Sequence, residues 1–150
     1  MRRTLSLGSL GLVLVLGLVG AAAPGCSKHG KADREAAAKA AEIPILSIDD
    51  VAVRVASGSC RAVDANGNQL RKDVGVIPGA VLLTDYEAFS LKELPEDKST
   101  PLVFYCANEQ CGASHTAAEK AIVAGYRDVR VLPAGIMGWA EAGKVVEPGA

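Results

Sequence analysis

Three side chains able to do covalent or acid–base chemistry stand close together in this sequence: Cys106, Cys111 and His115. A fourth, Asp64, lies upstream at the end of a short apolar segment. A cysteine is a nucleophile only as its thiolate, so the surroundings must favour the anion. Cys106 closes the run Leu102-Val-Phe-Tyr-Cys106, and the polar stretch Ala107-Asn-Glu-Gln-Cys-Gly-Ala-Ser114 then leads into an alanine-rich helical pattern. Strand, loop and helix in that order aim backbone N–H groups and a positive dipole end at the residue that ends the strand. The expectation is a Cys106 with a lowered pKa, ready for nucleophilic chemistry. Cys111 is near enough for a disulfide with Cys106 if the loop folds back, which makes it a candidate redox partner. His115 falls in the first helical turn, where it either helps position a ligand or thiolate or is simply solvated. The spacing of Cys106, Cys111 and His115 fits no zinc module and brings no evident fourth ligand, so no metal is expected. Asp64 reads as a hydrogen-bond acceptor supporting the loop rather than a general base. Cys60, just before the segment that Asp64 ends, reads as a buried small hydrophobe.

The elements that hold these residues alternate along the chain. Ser47-Ile-Asp-Asp50 has the form of a capping box and opens a short helix to about Ser57, stopped by Gly58. Arg61–Ala65 reads as a strand ended by the turn signal Asn66-Gly-Asn68. Ile77–Ala80 is a turn into the strand Val81–Leu83, and Thr84 with Glu87 forms a second capping box opening a helix to about Leu91. Leu102–Cys106, continuously apolar and aromatic, has the pattern of a strand buried on both faces. A helix from about Ser114 to Ala124 packs through Ala117, Ala118, Ala121 and Ile122 and ends at Gly125. Asp128–Leu132 is a further strand, and Ile136–Ala142 a last short helix with Trp139 on its core face. Strands separated by helices pair in parallel, so the fold class is α/β, an open sheet covered on both faces. Ligands of such sheets sit outside the carboxyl ends of the strands, where Cys106 falls. Gly75, Gly79 and Gly135 read as turn positions, since no glycine-rich phosphate-binding fingerprint follows a strand.

Composition bounds the rest. The 150 residues are 49% hydrophobic and 22% charged with a net charge of −1, which allows one ordinary domain and excludes the basic face of a nucleic-acid binder. Four cysteines are too few for a disulfide-built miniprotein. The apolar residues concentrate at the start: Met-Arg-Arg, an uncharged stretch from Thr4 to Ala23, then Pro24-Gly25-Cys26. A basic start, an apolar run and small residues before a cleavage point make a secretory signal. Small residues immediately before a cysteine resemble the lipobox of bacterial lipoproteins, which implies cleavage after residue 25 and lipidation of Cys26. Cleavage after Ala23 and an uncleaved anchor are the competing readings. By resemblance to the lipoprotein sorting rule, Ser27 implies the outer rather than the inner membrane, on the periplasmic side. Removal of residues 1–25 leaves 14 basic and 17 acidic side chains, in a compartment where disulfides persist. Residues 26–42, rich in Lys, Ala and Glu, form a tether with no hydrophobic face, and residues 43–150 form the domain.

Within that domain, Val103-Phe-Tyr-Cys106, Ala117-Ala118, Gly125-Tyr126, Val129-Arg-Val-Leu132, Gly135, Trp139 and Ala142-Gly143 resemble the C-terminal half of a rhodanese domain. Upstream, Asp64-Ala-Asn66 and Gly75-Val-Ile-Pro-Gly-Ala80 are similar to that family's first-strand aspartate and its Gly-His-Ile-Pro-Gly-Ala stretch. The resemblance implies a five-stranded parallel sheet and a sulfurtransferase that carries sulfane sulfur as a persulfide on Cys106. It implies no cofactor, and as partners a small sulfur donor and a thiol acceptor or acceptor protein, with the chain acting as a monomer. The site residues it implies are Cys106 and the loop Ala107, Asn108, Glu109, Gln110, Cys111, Gly112, Ala113 and Ser114, whose N–H groups cradle the persulfide, with Asp64 and His115 in support. The loop departs from the family pattern: it is longer by two, Ala113 stands at the family's arginine, and Glu109 adds a negative charge. Val76 replaces the family's histidine and Asn66 an arginine. A like charge near the site weakens binding of an anionic donor such as thiosulfate. Two other readings stay open: a thiol redox protein cycling a Cys106–Cys111 disulfide, and a non-catalytic binding module on the same fold.

Overall fold

The computed structural model describes residues 43–149. The export segment, Cys26 and the tether lie outside the described residues. Along the chain run α1 (Ile48–Ala56), β1 (Arg61–Asp64), α2 (Asn68–Val74), β2 (Val81–Leu82), a 3₁₀ turn (Leu91–Glu93), β3 (Leu102–Tyr105), α3 (Ala113–Val123), β4 (Val129–Leu132) and α4 (Gly135–Glu141). All strand pairs are parallel, in the order β2-β1-β3-β4. The family resemblance leads one to expect a fifth strand. In its place a single parallel bridge joins Ile45 to Val131 at the β4 edge. Leu46 N–H donates to the Val131 carbonyl at 2.9 Å and Val131 N–H to that of Pro44 at 3.0 Å. Pro44 has no N–H to offer a longer ladder, which keeps this segment to one bridge.

Alternation along the central strand divides the core into two halves. Leu102 and Phe104 pack with Val63, Val131 and the alanines of α3, Ala117, Ala118 and Ala121. Val103 and Tyr105 pack on the other face with Val51 of α1 and with Ile136 and Trp139 of α4. All four residues of β3 are buried, which is why the run is apolar without interruption. Small alanines on α3 let that helix lie close to the sheet, and Gly125 ends it in a positive-φ conformation, φ +96°.

Two local expectations are corrected. Asn66-Gly67-Asn68 is not only a turn: it leads directly into α2, whose one buried side chain is Arg71. No helix follows Thr84. Asp85 accepts from the N–H groups of Glu87 and Ala88 in an isolated turn, while Thr84 gives its N–H and hydroxyl to Glu93. The capping box belongs to Ser90 and Glu93, at the 3₁₀ turn. Glu93 outcompetes Glu87 because it serves Thr84 and Ser90 at once.

Candidate active site

The order in which strands are added reverses between β1 and β3: β1 is followed by β2 on one side, β3 by β4 on the other. The crevice at the carboxyl ends of these two strands is where an open α/β sheet takes its ligand. Asp64 pairs with Tyr105 across it, so Ala65-Asn66 and Cys106-Ala107 leave the sheet side by side.

Tyr105 and Cys106 face opposite ways. The Tyr105 hydroxyl donates to Asp64 Oδ2 at 2.8 Å and accepts from Ile77 N–H at 3.1 Å. Asp64, fully buried, also accepts from Asn66 N–H at 2.6 Å and has the Arg71 Nε 3.5 Å from Oδ1. The Arg71 guanidinium spans the strand ends, donating to the carbonyls of Asp64 and Leu83 and to Asn68 Oδ1. Burial and the Asp64 charge hold the Tyr105 phenol far above its ordinary value, so it stays a proton donor. Asp64 is thus a buried acceptor that joins Asn66 and Tyr105. Arg71 was not foreseen. The signal that points to it is the need of a buried aspartate for a cation, which α2 alone can bring within reach.

Cys106 Sγ, 2% exposed, donates to the Cys111 carbonyl at 2.9 Å and lies 3.3 Å from the Ser114 hydroxyl. Its pKa is raised, contrary to the sequence expectation. Burial is the main cause and the Cys111 contact adds to it, while the hydroxyl and N–H of Ser114 offset only part. Beyond burial, the loop spends its backbone groups on itself. Gln110 N–H goes to Asn108 Oδ1 and Cys111 N–H to the Asn108 carbonyl, both at 3.1 Å. Those two donors serve the loop itself, and a carbonyl faces the sulfur where an N–H was expected.

Cys111 shows the opposite balance. It is partly exposed, and although burial raises its pKa, hydrogen bonding from the Cys106 thiol and the N–H groups of Ala107 and Ala113 brings it below the ordinary thiol value. Both thiols are free, and the Cys111 backbone lies against the Cys106 sulfur. His115 is exposed on the first turn of α3, and Glu109 and Gln110 are exposed at the loop tip. Beside the loop lies a hollow of about 270 Å³ lined by Asn108, Glu109, Gln110, Met137 and Glu141 among others. Among the described residues no group of three or more His, Cys, Asp or Glu side chains is placed to hold a metal ion.

The N-terminus of α4 fixes the loop's first residues. Ile136 and Met137 donate their N–H groups to the carbonyls of Cys106 and Ala107 at 2.9 and 3.1 Å. Gly135 allows this approach: its φ is +61°, and a Cβ there would overlap the Ala107 carbonyl.

A family model described as the rhodanese-like domain matches residues 47–142. The chain belongs to the rhodanese-like family. A comparison with curated proteins finds no match. Solved rhodanese-fold structures agree at low identity. A Bacillus halodurans protein is 22% identical with a TM-score of 0.62, covering 79% of this chain and 85% of its own. The human single-domain sulfurtransferase is 20% identical with a TM-score of 0.52, covering 67% and 97%. SseA of Escherichia coli, described among 3-mercaptopyruvate sulfotransferases, is 21% identical with a TM-score of 0.58, covering 73% of this chain and 52% of its own. This rhodanese-like domain therefore shares the fold of sulfurtransferases, with a loop that holds two cysteines and no basic side chain between residues 106 and 114.

Proposed function

We propose that this rhodanese-like chain is a sulfurtransferase carrying sulfane sulfur as a persulfide on Cys106. The observation that carries the reading is the place of Cys106. It ends the central strand at the reversal of the sheet, at the base of a loop that enters a helix N-terminus, with the Ser114 hydroxyl and N–H on its sulfur. In the reaction the Cys106 thiolate attacks the outer sulfur of a donor. The donor's remaining fragment leaves as an anion, and a thiol acceptor later takes the sulfur from the persulfide. Glu109 and the lack of any basic side chain in the loop favour a donor of low charge over dianionic thiosulfate. The human and Escherichia coli neighbours named as sulfurtransferases lend support through fold alone.

The chain acts outside the cytoplasm in this reading, on the periplasmic side of the bacterial envelope, held through a lipid on Cys26 and working as a monomer. Loss of palmitate labelling in Cys26→Ala is the expected check on that anchor. The hydrogen bond from Cys106 to the Cys111 carbonyl, with both thiols free, favours a second reading, a redox protein cycling a disulfide between them.

Intact mass spectrometry without reductant separates the two. Exposure to cysteine persulfide or to thiosulfate should add one sulfur atom to Cys106, removable by thiol. A free, accessible Cys106 that takes sulfur from neither donor sinks the sulfurtransferase reading. Loss of two hydrogens that requires both cysteines supports the redox one.

A further inference from the structure

The persulfide reading leaves a problem of access. Cys106 is 2% exposed, its sulfur is closed over by the Cys111 carbonyl and the Ser114 hydroxyl, and the hollow beside the loop is lined by other residues. A donor molecule meets Cys111 first, because that residue is partly exposed on the loop and its carbonyl lies 2.9 Å from the Cys106 sulfur beneath it. We propose that Cys111 is a second catalytic cysteine, the entry port that takes sulfur from an alkyl persulfide donor and relays it to Cys106. The proposal rests on the sulfurtransferase reading and adds the route by which the sulfur arrives.

The chemistry closes without an added oxidant. The Cys111 thiolate attacks the outer sulfur of R–S–SH, forming a Cys111 persulfide and expelling RS⁻. The proton of the Cys106 thiol passes to RS⁻, giving RSH. The Cys106 thiolate then attacks the outer sulfur of the Cys111 persulfide, and the Cys111 thiolate leaves. Net, R–S–SH and Cys106–SH become RSH and Cys106–S–SH, and Cys111 returns unchanged.

Each partner has the property its step demands. The N–H groups of Ala107 and Ala113 favour the anionic form of Cys111, first as nucleophile and then as leaving group; a low-pKa thiol leaves faster in such exchanges. Cys106 holds its proton at rest, so it supplies the one proton the first step consumes. The absence of basic side chains matches a donor whose leaving group is an ordinary thiolate rather than sulfite.

The full reduced chain, exposed to cysteine persulfide and mapped by peptide mass spectrometry, provides the test. In wild type the sulfur should be found on Cys106. Cys106→Ser should trap it on Cys111. Cys111→Ser should slow loading of Cys106 by about tenfold or more, with Cys111→Ala, at this partly exposed position, behaving the same way. The relay is overturned if Cys111→Ser loads Cys106 at the wild-type rate, or if Cys106→Ser holds no sulfur while wild type does. A wild-type protein that instead releases hydrosulfide and forms the Cys106–Cys111 disulfide overturns it too, in favour of Cys106 attacking the inner sulfur. Wild type that takes up no sulfur at all removes the sulfurtransferase reading itself, a separate result.

Discussion

Cys60, ahead of the first strand, and Cys106, after the central one, are buried to nearly the same degree, 5% and 2% exposed, and burial is the main cause that raises each thiol. Their neighbours differ. Around Cys60 the other influences are charges of opposite sign, Arg54 and Asp128, and the cavity beside it, about 290 Å³, is lined by Val55, Arg61, Pro78 and Pro101 among others. Around Cys106 they are a second thiol, a serine and the start of a helix. Arg61 pairs with Leu102 and Asp64 with Tyr105, so the two cysteines sit at opposite ends of the sheet, on the order of 15 Å apart. They are too distant to pair with one another. Equal burial thus raises both thiols, and what differs is the surroundings: charges at one end, and a second thiol, a serine and a helix start at the other.

Several substitutions break or sharpen that contrast. The largest effect is on chemistry: Cys106→Ala should reduce sulfur transfer to a thiol acceptor to background, while Cys60→Ala should leave the rate within about twofold. Equal losses in both would erase the distinction between the ends. Next comes stability at the carboxyl end. Arg71→Met leaves the buried Asp64 charge uncompensated and should cost about 3–5 kcal/mol in urea denaturation. Cys60→Ala, which removes one small apolar side chain, should cost about 1 kcal/mol. Gly135→Ala should lower the melting temperature and slow sulfur loading together, since a Cβ there displaces the Ala107 carbonyl and with it the loop. A melting temperature reduced with loading intact would show that this contact only stabilises.

The smallest effect is on pH dependence. Among the described thiols iodoacetamide should modify Cys111 first as pH rises, because its pKa alone of the three lies below the ordinary thiol value, and Cys60 and Cys106 only at higher pH. For stability the sign is the reverse between them. Raised groups contribute fully below the unfolded thiol pKa and lose that contribution as pH climbs through the folded value. Cys111 contributes above the unfolded pKa and loses it as pH falls through its own lower one. Alkaline unfolding should therefore be delayed in Cys60→Ala, and peptide mapping of alkylated protein gives the order of reaction.

The strand-loop-helix unit around Cys106 was legible because each part announces itself locally. β3 is an unbroken apolar run, α3 is alanine on one face, and Gly125 stops it. Asp64 could be read because a lone acid at a strand end has few other uses. α2 was not legible: Asn66-Gly67-Asn68 is a strong turn signal, and the helix behind it buries an arginine instead of an apolar stripe. The order of the two thiol acidities was hidden for a different reason. It turns first on burial, deep at Cys106 and partial at Cys111, and then on which loop N–H groups reach which sulfur, and side-chain types encode neither. Thr84 misled because its partner, Glu93, lies nine residues away rather than three.

The single bridge at Ile45 has a mechanical consequence. Tension arriving from residues ahead of Ile43 is borne first by the two hydrogen bonds that join this segment to Val131. The next strand inward, β4, is a full ladder, and β3 with Cys106 lies beyond it. The segment can peel away under load while β3 keeps its neighbours on both sides. Once those bonds part, a pull passes along the chain to α1, whose Val51 anchors it in the core, before it reaches any strand.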